Sequence, residues 1–259
     1  TTLNSPNTVK TYLSNVISLL NNDAKKYGDL IKYYVKISTE NYDNIKIQVK
    51  KDKACDDEKI ITLKEYDALI KTLSKNGCYA MEYLMFLILR YYPIRNEVGT
   101  LIYIKNTEFV KLDKATIQAH NWIVEKSKSI EMIRYQFKTA KFYAKELPFI
   151  DTIKQPVKSA LNKYIKDNNI ASNTPLFPIQ DKPMTENQVS HKLAYVSSKY
   201  LTVKISTSTT FKILACDAVK NNSNEEARKI LTRYGNIRGS NITQILDYYV
   251  NGNVINNDD

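Results

Sequence analysis

One arginine lies where a rigid element can hold it against an anion. Arg95 occurs in Tyr91-Tyr-Pro-Ile-Arg-Asn-Glu97, directly after an apolar segment, Tyr79 to Arg90, that is predicted to be a buried helix. A guanidinium at the end of such a helix can donate two parallel hydrogen bonds to a phosphate. The alternative is a surface arginine in a turn, paired with Glu97. The local sequence leaves both interpretations open.

A second group of cations lies in a segment predicted to form a β-hairpin. The segment runs from Arg134 to Lys145, and its cations are interleaved with aromatic residues. Cations and aromatic rings on a β-ribbon are typical of surfaces that contact nucleic acid. The segment therefore predicts DNA contacts from Arg134, Lys138, Lys141 and Lys145. The alternative is a charged hairpin tip that only keeps a sheet edge soluble.

Two adjacent tyrosines follow Asp247 near the end of the chain. Tyr249 belongs to an apolar stripe at helical spacing and is predicted to face the core. Tyr248 lies off the stripe, so its side chain is predicted to face away from the core, toward the surface that the helix borders. A phenol with a pKa near ~10 is a weak nucleophile, but cationic neighbours stabilise its phenolate. Tyr248 is therefore the candidate nucleophile, and Tyr249 is the alternative.

The chain carries a large positive charge, with 38 Lys and Arg against 27 Asp and Glu and a net charge of +11. A surplus of this size favours polyanionic partners. However, the richness in Asn, Lys, Ile and Tyr is typical of an AT-rich genome, which would raise the lysine count without a functional cause. Charge alone therefore does not separate a DNA-binding protein from a merely basic one.

Composition argues against several classes of protein. The longest apolar stretch, Tyr83 to Leu89, is far shorter than the ~20 residues that span a bilayer, and no signal segment opens the chain. The cysteines (Cys55, Cys78 and Cys216) are widely spaced, so neither a zinc site nor a disulfide framework is predicted, and reduced thiols fit an intracellular compartment. With six glycines and no phosphate-binding loop, no nucleotide cofactor is expected.

The elements around these residues predict a mainly α-helical chain with a small antiparallel β-sheet, an α+β fold. Four short strands are predicted: Leu101 to Ile104, Asn121 to Val124, Met132 to Phe137, and Glu146 to Phe149. The last two should pair as a hairpin. The predicted organisation is a short helical unit in residues 1–49, a charged linker in 50–60, a larger domain in 61–250 and a polar tail in 251–259.

In order and spacing, these segments resemble the tyrosine recombinase (phage integrase-like) family, particularly the divergent integrases of large DNA viruses and their mobile elements. Leu89 to Gly99 is similar to the block that carries the first catalytic arginine, and Phe137 to Tyr143 to the hairpin that presents the catalytic lysine. Leu176-Phe-Pro with Glu186-Asn-Gln is similar to the passage before the second arginine. Ser5 to Tyr12 resembles the opening of the family's core-binding domain. The resemblance implies a recombinase-like catalytic domain in 61–250.

The resemblance also implies a role for each candidate residue. Arg95 would clamp the phosphate, and Lys138, or as a weaker candidate Lys141, would be the general acid for the leaving 5′ oxygen. Tyr248, or else Tyr249, would form a 3′-phosphotyrosyl bond with DNA. The implied partner is double-stranded DNA, with self-association on DNA left open. No metal or cofactor is implied, and the implied location is intracellular: a nucleus, a cytoplasmic virus factory or a virion.

Three positions depart from the family's pattern. Lys212 occupies the place of the second arginine, Thr209 that of the histidine three residues before it, and Asn236 that of another histidine. Lysine keeps the charge but loses the fork of the guanidinium, and Thr and Asn cannot transfer a proton near neutral pH. Loss of one transition-state donor typically lowers a rate ~10²- to 10³-fold. Candidates for the missing guanidinium lie on the next helix: Arg228, Arg233 and Arg238, of which the last two are also predicted DNA contacts.

The sequence thus leaves three functions open. The first is a DNA strand-transfer enzyme, either an integrase, a recombinase or a topoisomerase, which Arg95, Lys138 and Tyr248 favour. The second is a protein of the same fold that binds DNA without cutting it, which Lys212 and Asn236 favour. The third is a virion or assembly component that uses the fold for protein contacts.

Overall fold

The structure is a computed structural model that describes the backbone of residues 6–51 and 60–251 and the side chains of residues 8–41 and 60–250. The described residues fall into two compact units. Most of the predicted linker and tail, residues 52–59 and 252–259, lies outside the described residues, as does Cys55.

The first unit is a pair of helices, α1 (Pro6–Leu20) and α2 (Ala24–Lys51), joined by a 3-10 turn. Helix α1 begins at the proline, which suits a first helical position. Helix α2 is much longer than the segment Asp29 to Ile37 that periodicity predicts. It continues because no glycine or proline interrupts the chain between Asp29 and Lys51.

The second unit contains the predicted sheet and nine further α-helices among its described residues. Its helices are α3 (Leu63–Ser74), α4 (Ala80–Tyr91), α5 (Asn106–Phe109), α6 (Lys114–Ala119), α7 (Gln155–Asp167), α8 (Glu186–Tyr200), α9 (Thr207–Lys220), α10 (Asn224–Arg238) and α11 (Ile242–Leu246). Its strands are β1 (Leu101–Lys105), β2 (Asn121–Glu125), β3 (Ile130–Arg134), β4 (Phe149–Thr152), β5 (Thr174–Pro175), β6 (Pro178–Ile179) and β7 (Lys182–Pro183). The α+β fold class is therefore as predicted.

The main sheet has the strand order β4-β3-β2-β1-β5 and is mixed rather than purely antiparallel. Strands β1 and β2 run parallel, with Ile102 opposite Trp122, whereas the other neighbours are antiparallel. A parallel pair needs a crossover connection, which α5 and α6 supply between β1 and β2. The first two strands thus lie where the sequence predicts them, but their parallel direction was not predicted.

The predicted hairpin exists as β3 and β4, but its loop is longer than expected. The side chain of Asn121 accepts hydrogen bonds from the backbone N–H groups of Tyr135 (2.9 Å) and Gln136 (2.8 Å), so β3 ends at Arg134. On the other side, Pro148 has no N–H group to pair, and β4 begins after it. Residues 135–148 therefore form a loop, which contains a 3-10 helix, Ala140–Tyr143.

The core of this unit is built around α4, as its uniformly apolar sequence predicts. Every residue from Leu84 to Leu89 is buried. Helix α3 packs against α4 and begins with the predicted capping box, in which Thr62 and Glu65 bond each other's backbone. None of the helices within the described ranges combines the length and apolar character needed to cross a bilayer.

The cysteines differ from the expectation of reduced thiols. Cys78 is exposed and has a free thiol. Cys216 is buried in α9 and is disulfide-bonded. The expectation is therefore wrong at Cys216.

Candidate active site

Arg95 is held at the end of the segment that follows α4, and its partners are uncharged. Nη1 donates a hydrogen bond to the backbone carbonyl of Arg238, and Nη2 donates one to Oγ of Ser240 at 3.0 Å. The predicted alternative, an ion pair with Glu97, is wrong, because the carboxylate of Glu97 is buried and lies 3.8 Å from Nη1 of Arg134 instead. Arg95 thus keeps its charge available for an anion.

The two tyrosines point in different directions, as the apolar stripe predicts. They lie in a π-helical turn, Asp247–Asn251, that continues α11, and such turns are frequent at functional sites. The ring of Tyr249 is buried and packs edge-on against Phe211 at 6.1 Å between centroids. Burial raises the pKa of the Tyr249 phenol above its usual value. Tyr248 is half-buried and packs edge-on against Tyr249 at 4.8 Å.

Arg95 and Tyr248 line the same cavity, which has a volume of about 570 Å³. The polar part of its wall comes from Thr139, Ser240, Asn241 and Gln244, and the aromatic part from Phe142, Tyr143, Tyr248 and Tyr249. A cavity of this size, lined by a guanidinium and by partly exposed phenols, suits a phosphodiester. The structure therefore brings together two of the three residues that the resemblance places at the centre of the chemistry.

The loop of residues 135–148 is fastened to the turn that follows α10. Thr139 Oγ1 donates a hydrogen bond to the carbonyl of Gly239, and Tyr143 Oη donates one to the carbonyl of Ser240 at 3.3 Å. Gly239 adopts a positive φ of 59°, which ends α10 and turns the chain toward Arg95. This turn therefore connects the loop, Arg95 and the C-terminal helix.

The lysines of this loop are exposed, as expected of DNA contacts. Lys138, Lys141 and Lys145 all face solvent. Lys138 is next to Thr139 at the cavity but is not itself among the residues that line it. Lys138, the candidate general acid, therefore lies beside the cavity, and its ammonium group does not line it.

The three residues that depart from the family's pattern do not line the cavity of Arg95 and Tyr248. Lys212 and Thr209 line another cavity, of about 690 Å³, together with Lys204. Asn236 lines a third cavity, of about 970 Å³, together with Arg233. Neither Lys212 nor Asn236 lines the cavity of Arg95 and Tyr248, so the predicted catalytic set is not assembled in full. Arg233 is exposed, which is compatible with its predicted role as a DNA contact.

Arg238 is nearer to the candidate site, but it does not present its guanidinium to solvent. It is 7% exposed and stacks over Phe211, with 4.9 Å from its Cζ to the ring centroid. Nη1 donates to the carbonyls of Pro93 (3.2 Å) and Ile94 (3.4 Å), and Nη2 to Ser208. Burial, reinforced by the charge of Arg95, lowers the pKa of Arg238 to about 10. Its predicted role as a DNA contact is wrong, and its observed role is to fasten the segment before Arg95 to α9.

Arg134 is also wrongly predicted as a DNA contact. It is completely buried, forms an ion pair with Asp151 at 3.1 Å and packs against the rings of Phe137 and Phe149, with 5.9 and 5.7 Å from its Cζ to their centroids. Burial lowers the pKa of Arg134, while the carboxylates of Asp151 and Glu97 oppose that shift. The prediction failed because a cation at the end of a strand faces either solvent or core, depending on a register that the sequence did not reveal.

Among the wall residues that the sequence analysis did not predict, three make hydrogen bonds that assemble the site: Thr139, Tyr143 and Ser240. Thr139 and Tyr143 bond the 135–148 loop to the turn after α10, and Ser240 of that turn accepts a hydrogen bond from Arg95. The residues joined in this way are far apart in the sequence. A local signal that could have pointed to this turn is Gly239, which directly follows the observed end of α10, because glycine often ends a helix with a left-handed residue.

Comparisons with known proteins give fold-level likeness only. No family model matches the chain, and no curated protein matches it. Among solved structures, it is similar to XerA recombinase, with 11% identity and a TM-score of 0.47 over 96% of this chain and 79% of that one. It is also similar to the Tn1549 transposon integrase in complex with transposon right end DNA, with 15% identity and a TM-score of 0.42 over 95% and 81%.

The identities are too low to transfer function, so the function is inferred from the residues of this chain. Within the described side chains, no group of three or more His, Cys, Asp and Glu is arranged to hold a metal ion.

Proposed function

We propose that the chain is a DNA strand transferase of the tyrosine recombinase or integrase type, with Tyr248 as its nucleophile. The observation that supports this proposal is the cavity that Arg95 and Tyr248 share. Arg95 uses two of its five N–H groups on the uncharged partners described above, which leaves three for phosphate oxygens. A phosphodiester in this cavity would contact both the guanidinium and the phenol.

The proposed reaction is a transfer of the DNA phosphoryl group to the phenol. Oη of Tyr248 forms a bond to phosphorus and loses its proton to water, while the bond from phosphorus to the 5′ oxygen breaks. The departing oxygen takes a proton from an ammonium group, the role proposed for Lys138. Arg95 stabilises the charge that develops on the other phosphate oxygens. The reverse reaction rejoins the strand, and because the phosphotyrosyl bond replaces the broken ester, no energy source is required.

Tyr248 is preferred over Tyr249 because of their different surroundings. Burial raises the pKa of the Tyr249 phenol, which disfavours the phenolate that attacks. Both tyrosines line the cavity with Arg95, but Tyr248 is the more exposed of the two. Double-stranded DNA as the partner is supported by the exposed lysines of the 135–148 loop and by the net charge of +11. Such a protein would act in a nucleus, a virus factory or a virion.

A second candidate function is DNA binding without cleavage. It is favoured by the placement of Lys212 and Asn236, which line other cavities and bring neither a second phosphate clamp nor a proton donor to Tyr248. Arg238 is close to Arg95 but uses its donors on backbone carbonyls and Ser208. A cavity with one available guanidinium can bind a phosphate without accelerating attack on it.

Trapping of a covalent adduct separates the two functions. A pool of nicked suicide duplexes of random sequence is incubated with the protein, and adducts that resist detergent are measured on a denaturing gel. We expect an adduct with the unchanged protein and with Tyr249→Phe, and none with Tyr248→Phe, because the Tyr249 ring is buried and its phenol is harder to ionise.

The control is DNA binding of each variant, measured in parallel. Tyr248→Phe should bind DNA as the unchanged protein does, because it loses only a hydroxyl. DNA binding without an adduct in any sample would refute the strand transferase and leave the second function. An adduct lost in Tyr249→Phe but kept in Tyr248→Phe would reassign the nucleophile.

A further inference from the structure

The largest exposed apolar side chain near the candidate site is Phe142. It is 73% exposed, although a phenylalanine normally gains free energy from burial. It lies in the 3-10 helix Ala140–Tyr143 and forms part of the wall of the cavity that holds Arg95 and Tyr248. The strand-transfer chemistry proposed above gives this ring no role.

Phe142 is held in place from both sides. Thr139 bonds the carbonyl of Gly239, and Tyr143 bonds the carbonyl of Ser240. The ring of Tyr143 also packs against Phe149, with 5.5 Å between centroids. The backbone on either side of Phe142 is therefore fixed to the rim of the cavity. An exposed ring on a fastened backbone can bind a ligand without first losing the freedom of a mobile loop.

The charges around Phe142 indicate the chemistry of the ligand. Lys141 lies against the Phe142 ring, with 5.0 Å from Nζ to the centroid. Lys138 and Lys145, within four residues of the ring, are also exposed. A flat apolar ring among cations, beside a guanidinium with uncharged partners, matches a ligand that has both a phosphate and an aromatic face. A nucleotide of DNA has both.

We propose that Phe142 stacks on, or wedges beside, the DNA base next to the phosphodiester held by Arg95. This inference rests on the proposed DNA function and specifies one of its contacts. Each phosphodiester is joined to its base through one sugar, so a ring at the rim of the cavity can meet that base when the nucleotide is partly unstacked. Aromatic wedges of this kind partly unstack a base step, at a cost that falls when a base is already unpaired.

The inference predicts a preference for an unpaired base. The unchanged protein should bind a short labelled duplex with one unpaired thymine ~10-fold more tightly than the fully paired duplex, because less unstacking is needed. Phe142→Ala should lose this preference, and Phe142→Trp should keep it, because indole also stacks. Dissociation constants are measured by fluorescence anisotropy over a range of salt concentrations.

Two control variants separate stacking from charge and from general exposure. Lys141→Ala should keep the preference but reduce the slope of log affinity against log salt by ~0.9, because one phosphate is no longer neutralised by a lysine. Phe142→Ala should leave that slope unchanged. Tyr195→Ala removes an aromatic ring that is 60% exposed on α8 and does not line the cavity, so it should change neither quantity.

The outcomes distinguish this inference from the proposed function. If Phe142→Ala keeps the unpaired-base preference while Lys141→Ala lowers the salt slope, DNA binding stands and the stacking role is refuted. If the unchanged protein shows no preference, the stacking role is likewise refuted. If no variant binds DNA at any salt concentration, the proposed function fails together with the inference. Thermal unfolding of each variant checks that the fold is retained.

Discussion

Three arginines near the candidate site differ in what they can do, and burial explains the difference. Burial lowers the pKa of both Arg134 and Arg238, and the charge of Arg95 adds to that shift in each. Arg134 is balanced by Asp151 and Glu97 inside the core, and Arg238 by backbone carbonyls. Only Arg95 combines partial exposure with uncharged partners. Of these three, Arg95 is therefore the arginine equipped to bind an anion.

The buried position of Arg134 predicts a loss of stability when it is replaced. Arg134→Met should lower the free energy of unfolding by about 3–5 kcal/mol, because it leaves the buried carboxylate of Glu97 without its cation. Urea denaturation measures this change. The salt slope of DNA binding at a temperature where the variant is folded should stay unchanged. A reduced slope with unchanged stability would restore Arg134 as a DNA contact.

At the scale of elements, the turn after α10 decides how the site is assembled. The carbonyls of Arg238, Gly239 and Ser240 each accept a hydrogen bond from a residue of the cavity wall. Gly239 has a positive φ, and an added Cβ would lie 2.6 Å from the ring of Phe137. The turn therefore admits only glycine without a shift of the 135–148 loop.

Gly239→Ala tests this role of the turn. The variant should lose about 1–3 kcal/mol of unfolding free energy, from the left-handed backbone and the close approach to Phe137. Adduct formation should fall further than the population of folded protein, because the loop and Arg95 shift together. Gly77→Ala is the matched control, since its Cβ would meet nothing within 4 Å and its φ is not positive. Equal effects at both glycines would contradict the proposed role.

At the scale of the whole molecule, the net charge of +11 does not by itself show where DNA binds. Many exposed lysines lie far along the chain from the candidate site, and some are paired, such as Lys163 with Asp167 at 2.8 Å. The exposed lysines of the 135–148 loop are different, because they flank the cavity that Arg95 and Tyr248 line. Phosphate contacts should therefore concentrate at this loop.

The salt dependence of DNA binding tests whether phosphate contacts cluster at this loop. Replacing Lys138, Lys141 and Lys145 together by alanine should make the slope of log affinity against log salt shallower by ~2.7, or ~0.9 for each phosphate that a lysine no longer neutralises. The matched control replaces three exposed lysines that lie outside this loop, Lys75, Lys111 and Lys166. It removes the same charge and should leave the slope nearly unchanged. The same decrease in both triple variants would mean that binding is diffuse.

Much of the fold follows from local signals in the chain. The capping box at Thr62, the apolar α4 and the stripe that turns Tyr249 inward all depend on residues within a few turns of one another. Such signals are visible in a single sequence, because helix caps and helical periodicity are short-range effects. Arg95 and Tyr248 are candidates on the same local grounds, although nothing local shows that they meet.

Long-range contacts determined the rest of the site. Asn121 ends β3 through hydrogen bonds to a distant segment, and the resulting register places Arg134 in the core. The placement of Lys212 in a different cavity, and of Arg238 behind Arg95, depends on how α9 and α10 pack. Residue type and spacing do not encode these outcomes. Whether a charged side chain is buried or can reach a ligand is decided only when separate elements pack together.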